Sequence, residues 1–205
     1  MKIFKKVLLS VLAIITIAFY SLANAALIDN GIITTDTDTG LEWLDITATV
    51  GLSYNSVLSS NFVVSDGYRY ATEEEVFQLF TNAGGTPTTR TTVLAGNDAP
   101  ADLLLDLMGC TSYVVGNDCD DAGQDWSAAM WGSSLLYVAL IDDINNGTGV
   151  LSTRWQTHDI EDQALRPDVG SLLVRASAVP VPEPASLILM GLGLAGLGFS
   201  RKRKA

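Results

Sequence analysis

Between its two ends this chain of 205 residues contains no lysine. Of its 12 basic residues, seven sit at the extremes: Lys2, Lys5, Lys6, Arg201, Lys202, Arg203 and Lys204. The stretch between them keeps Arg69, Arg90, Arg154, Arg166 and Arg175, set against 22 acids, for a formal net charge of −17. A surface of that sign repels nucleic acid and anionic headgroups. It suits divalent cations, basic partners or plain solubility. Histidine is nearly absent too. The one His, His158, and two Cys, Cys110 and Cys119, are too few for a structural zinc set. No G-x-S-x-G elbow is present, so His158-Asp159 with Glu161 and Asp162 has no nucleophile in a recognisable setting and reads as a surface loop. No internal repeat is visible.

What the chain does have in quantity is apolar sequence at both ends. Lys2, Lys5 and Lys6 precede an apolar run from Val7 to Tyr20, and Ala23-Asn24-Ala25 is a small-residue cleavage site. That order is a secretory signal peptide, residues 1–25, cut by signal peptidase after Ala25. At the other end Pro182-Glu183-Pro184 precedes an uncharged Gly- and Leu-rich run, 185–200, and the basic tail 201–205. As a helix the run would span about 24 Å, short of the ~30 Å hydrocarbon core by a margin that snorkelling Arg and Lys can cover. The basic tail behind it is a stop-transfer signal.

Tripeptide, short Gly-rich helix and basic tail, in that order, resemble the PEP-CTERM sorting signal of Gram-negative bacteria. The resemblance implies an inner-membrane intermediate, processing by an exosortase near Pro182, Glu183 and Pro184, and release to the cell surface or extracellular matrix. The folded domain is then 26–178, with a Pro-containing linker and the sorting signal at 179–205.

Within the domain, Leu27-Ile28-Asp29 and Ile32–Thr35 flank the turn Asn30-Gly31, and Asp36 and Asp38 before Gly40 read as turn residues. Leu41–Leu44 is a strand that aims Leu41 and Trp43 at one face. Ser53 caps a short helix over 53–58. Thr72-Glu73-Glu74-Glu75 has the form of a capping box with an acidic, dipole-matched first turn, followed by Val76, Phe77, Leu79 and Phe80 as an apolar face. Residues 86–97 are a polar loop, 101–108 a helix with Leu104, Leu105 and Met108 inside, and 110–125 an acidic loop. Residues 133–141, 150–156 and 171–175 are strands, with a polar loop over 158–168. Strands, two or three helices, then strands predict an α+β domain with a mostly antiparallel sheet.

A second resemblance runs along this order. Asp38-Thr39-Gly40-Leu41-Glu42-Trp43-Leu44, Gly67–Val76, Trp131-Gly132-Ser133-Ser134 and Leu172-Leu173-Val174-Arg175 resemble successive motifs of the Lcl C-terminal-like domains. The match is partial: Tyr68 stands for Trp, and Tyr70-Ala71 for Leu-Pro. The resemblance implies a C-type-lectin-like or formylglycine-generating-enzyme-like fold whose first and last strands meet. It carries no activity, because the copper-binding Cys pair of the enzymes has no counterpart.

Two site readings remain. Cys110 and Cys119 close a short loop in an exported chain, which points to a disulfide, with free thiols as the alternative. Asp118, Asp120, Asp121 and Asp125 offer hard oxygens in one loop, as calcium requires, although the spacing is not that of an EF-hand. A solvated acidic loop is the alternative. The function this points to is a non-enzymatic surface protein in adhesion or exopolysaccharide and biofilm association. The alternative is a secreted enzyme acting on extracellular polysaccharide.

Overall fold

The computed structural model of the chain describes residues 27–112, 125–132, 136–144, 147–158 and 168–178. All of them belong to the unit Ala25–Val179. The segment 1–25 read as a signal peptide, Pro182, Glu183, Pro184, the apolar run behind them and the basic tail lie outside the described residues. Among those described, no helix is long and apolar enough to cross a membrane.

The described elements, in order, are β1 (Leu27–Asp29), β2 (Ile33–Asp36), β3 (Leu41–Leu44), a 3-10 turn (Ile46–Thr49), α1 (Tyr54–Leu58), α2 (Asn61–Val64), β4 (Arg69–Tyr70), α3 (Glu73–Asn82), β5 (Leu94–Ala95), α4 (Asp98–Met108), β6 (Asp125–Trp131), β7 (Leu136–Asp143), β8 (Thr148–His158), β9 (Val169–Ser171) and β10 (Leu173–Ala176). The α+β, mostly antiparallel expectation holds, but the strands form two five-stranded sheets. One runs β1-β2-β3-β10-β4 and the other β5-β8-β7-β6-β9. Among the named strands the parallel pair is β6 with β9, and an isolated parallel bridge joins Thr88 to Ser152.

The β2–β3 hairpin follows from its turn residues. The Asp36 carboxylate accepts from the Asp38 N–H at 3.0 Å and the Thr39 N–H at 3.3 Å. Gly40, at φ 69°, lets its N–H reach back to the Asp36 carbonyl at 2.8 Å. Asn82, on α3, donates to both Asp36 oxygens, at 3.1 and 2.8 Å. Asp36 is thus a fully buried turn and helix-docking residue. The hairpin's register sets Thr34 against Trp43, and β10 then places Val174 beside Trp43 on one side and Arg69 on the other. The last described strand therefore completes a sheet begun by the first.

Both sheets bury both faces. On β3, Trp43 and Leu41 join a core with Val76, Leu79 and Phe80 of α3 and Leu104 and Met108 of α4. Leu44 turns to a second core with Tyr54, Val57, Tyr68 and Tyr70. On β6 the same alternation sends Ala129 and Trp131 to the first core and Ala128 and Met130 to the second. Each fully buried large side chain contributes about 1.5–3 kcal/mol before entropy is counted.

Two local expectations change, and one glycine finds its reason. Residues 125–131, rich in Ala and Met, form a strand at the interior of the second sheet, where an acidic loop had been expected to run up to Asp125. Sheet context overrides weak β-propensity here: Ala128 and Ala129 are fully enclosed, and Ser127 Oγ accepts the Thr111 N–H at 3.0 Å. His158 ends strand β8 instead of opening a loop. β9 presses so closely on the 3-10 turn that a Cβ at Gly170 would sit 2.3 Å from the Ile46 carbonyl oxygen, which explains glycine there.

Candidate functional site

The N-terminus of α3 is built as the sequence reading has it. Thr72 Oγ1 accepts the Glu75 N–H at 3.3 Å, and Glu75 Oε2 accepts the Thr72 N–H at 2.9 Å. Arg69 grips the same carboxylate with both guanidinium nitrogens, at 2.8 and 2.6 Å. That bidentate pair holds the Glu75 pKa below the usual carboxylate range.

One residue into the helix, Glu73 faces β8. It accepts from Arg154 Nε at 2.7 Å, from the adjoining Arg154 Nη2, and from Thr153 Oγ1 at 3.2 Å. The Arg154 guanidinium is the main reason the Glu73 pKa is lowered. Arg154 also lies 4.6 Å over the Tyr137 ring. Tyr137 in turn stacks on Trp131 at 5.0 Å, and Trp131 Nε1 donates to the Thr153 carbonyl at 2.6 Å. Carboxylate, guanidinium and two rings thus tie α3 to the face of the second sheet.

Beside this tie runs a groove of about 480 Å³, a size ordinary for a small-molecule site. It is lined by Glu73, Glu74, Phe77, Gln78, Thr89 and Arg154. Its one unpaired charge is negative. Glu74 has no hydrogen-bond or ion-pair partner among the described residues. The Gln78 side-chain N–H donates to Asn82 at 2.6 Å, which leaves the Gln78 carbonyl for the groove. Thr89 adds an exposed hydroxyl, and Phe77, 43 % exposed, adds a flat apolar face. Reading 73–75 as one solvated acidic turn therefore fits Glu74 alone, because Glu73 and Glu75 are ion-paired.

The residues singled out from sequence stand elsewhere. Asp125 opens β6 opposite Asp143, while Asp118, Asp120 and Asp121 lie outside the described residues. Among the described residues, no group of three or more His, Cys, Asp or Glu is placed to hold a metal ion. Cys110 follows α4, its sulfur 3.2 Å from Ser112 Oγ, and Cys119 is outside the described residues. His158 closes β8, and Asp159, Glu161 and Asp162 are likewise outside. Sequence reasoning missed Phe77 as a groove residue, together with Gln78, Thr89 and Arg154. An apolar residue on the outward side of a capped helix was the one available signal.

Two carboxyls away from the groove are electrostatically unusual. Asp45, after β3, has one buried oxygen with no hydrogen-bond partner among the described residues, and burial together with Asp29 pushes its pKa up to about 6. On α4, Asp98, Asp102 and Asp106 recur every fourth residue. Asp102 is pushed up to about 6 by desolvation and then by Asp143, with smaller contributions from Asp98 and Asp106.

Fold and groove define an α+β domain with a surface groove among its described residues. The tail supplies the rest. Residues 180–204 match the family model of the PEP-CTERM protein-sorting motif. The motif marks the chain as a substrate of exosortase processing, exported to the cell surface. The match is confined to the tail. No curated protein and no solved structure matches the chain.

Proposed function

We propose that this exported surface protein is non-enzymatic and associates with extracellular polysaccharide, in adhesion or in the matrix of a biofilm. The observation that carries the reading is the PEP-CTERM match over 180–204 on a chain whose domain presents, among the described residues, an open groove with the Phe77 ring beside polar side chains. Support for a C-type-lectin-like domain comes from β10, which lies between β3 and β4 and so joins early and late strands in one sheet. The same reading places the protein transiently in the inner membrane of a Gram-negative cell and pairs Cys110 with Cys119. The second reading, a polysaccharide-cleaving enzyme, predicts turnover. The test is a glycan-array screen run beside a polysaccharide-degradation assay, both on the full chain. Binding without release of reducing ends supports association. Release of reducing ends overturns it in favour of the enzyme, and neither binding nor release overturns both.

A further inference from the structure

The groove's lining is rich in acceptors and poor in available cations. Glu74 brings a carboxylate, Gln78 a carbonyl and Thr89 a hydroxyl, while Phe77 offers a ring face. Arg154 is the groove's cation, and Glu73 already meets it through two nitrogens. No lysine exists between residues 7 and 201 to satisfy Glu74 from within the domain. Of the four described arginines, Arg69, Arg154 and Arg175 are held by Glu75, Glu73 and Glu42, and the exposed Arg90, which follows Thr89 in the chain, is not among the residues that line the groove. A ligand that fits must therefore bring hydrogen-bond donors and positive charge, together with a flat apolar face for Phe77.

We propose that the groove binds an amino-sugar residue of an extracellular polysaccharide, its protonated amine on Glu74 and its ring against Phe77. This deepens the polysaccharide reading above and rests on it. The charge argument also selects against competitors. A uronate-bearing or sulfated glycan approaches a domain of net charge −17 and finds no unpaired cation in the groove, so it is repelled. An N-acetylated sugar keeps its ring face but loses the ion pair with Glu74. An exposed ion pair of this kind is modest, which is why discrimination of a few fold is expected from it, and why it weakens as salt rises.

The test is calorimetric titration of the full chain in neutral detergent at low salt. The probes are a β-linked glucosamine tetramer, the matching N-acetylglucosamine tetramer, a glucuronate-containing oligomer and spermine. The glucosamine tetramer should bind about threefold or more tighter than its acetylated counterpart, and the glucuronate oligomer should show no heat. Glu74→Gln, a surface change of equal size, should erase the difference between the two tetramers. Phe77→Ala should weaken both by about threefold to fivefold. A preference for glucosamine that persists in Glu74→Gln, or equal binding of the two tetramers by the wild type, overturns the proposal. If the equal binding is still weakened by Phe77→Ala, the groove remains a sugar site and the wider polysaccharide reading survives. If no saccharide gives heat, the proposal falls, while the wider reading stands or falls by the glycan array. Spermine binding as tightly as the glucosamine tetramer also overturns the proposal, because the amine alone would then suffice.

Discussion

Three arginines in this domain each do the same thing with different neighbours. Arg175 donates to Glu42 at 2.7 Å and lies 4.5 Å over the Tyr68 ring, while Ser177 Oγ donates to the other Glu42 oxygen at 2.9 Å. Arg69 holds Glu75, and Arg154 holds Glu73. Desolvation works against the ionised form of Glu42, yet the hydrogen bonds and charge of Arg175 leave its pKa lowered, as with Glu73 and Glu75. A lowered carboxylate stabilises the fold above its unfolded value, near 4.5, and that contribution is lost as pH falls through the folded value. Asp45 and Asp102 act in the opposite sense. Their pKa values rise from 3.8 to about 6, so the folded state holds protons that the unfolded chain releases. Their contribution is complete below 3.8 and disappears as pH rises through about 6. Thermal stability should therefore peak near the unfolded carboxylate range and fall between about pH 4.5 and pH 6. Asp45→Asn and Asp102→Asn together should flatten that fall. Melting curves at the two pH values check it, and an unchanged slope in the double variant would count against the assignment.

At the scale of elements, what could be read in advance was local. The Asp36 to Gly40 turn, the Ser53 cap and the Thr72 capping box are each specified within four or five residues, by side chains that hydrogen-bond their own backbone. The division into two sheets was not legible, because it rests on pairings such as Leu173 with Leu44 and Gly170 with Ala129, which join distant segments. β6 was hidden for a related reason. Ala-Ala-Met carries no strand signal until neighbouring strands enclose it. Of the groove, only the helix that carries Glu73, Glu74 and Phe77 was legible: Phe77 read as part of the buried face, and Arg154 reaches Glu73 across 81 positions. The capping box is where local and distant structure meet, since it fixes the first turn from which Glu73 and Glu74 project. Thr72→Ala should cost about 1 kcal/mol. In a domain of this size that lowers the melting temperature by roughly 2–4 °C. Thr72→Ser should restore most of it. Equal melting of Thr72→Ala and wild type would show that Arg69 alone fixes the turn.

The whole molecule divides its charge by destination. Lysine and most of the basic residues are confined to the two ends, and the stretch between them carries −17. An exported domain so charged stays apart from anionic headgroups after it has crossed them, which favours passage to the surface over retention at the bilayer. The step that commits it is assigned to the tail, where Pro182-Glu183-Pro184 precedes the uncharged run and the basic residues. The three parts can be separated by substitution. Replacing Pro182-Glu183-Pro184 with three alanines leaves the apolar run and Arg201 to Lys204 intact, so insertion by hydrophobicity and positive charge should be unaffected. Processing should stop, and the uncut chain should collect in the inner membrane. Replacing Arg201, Lys202, Arg203 and Lys204 with glutamine should instead disturb insertion itself, because the stop-transfer charge is gone. Cell fractionation with an antibody to the domain reads both outcomes. Surface delivery of the tri-alanine chain at the wild-type rate would show that the tripeptide is not what the sorting machinery recognises, and the tail would then be an ordinary anchor.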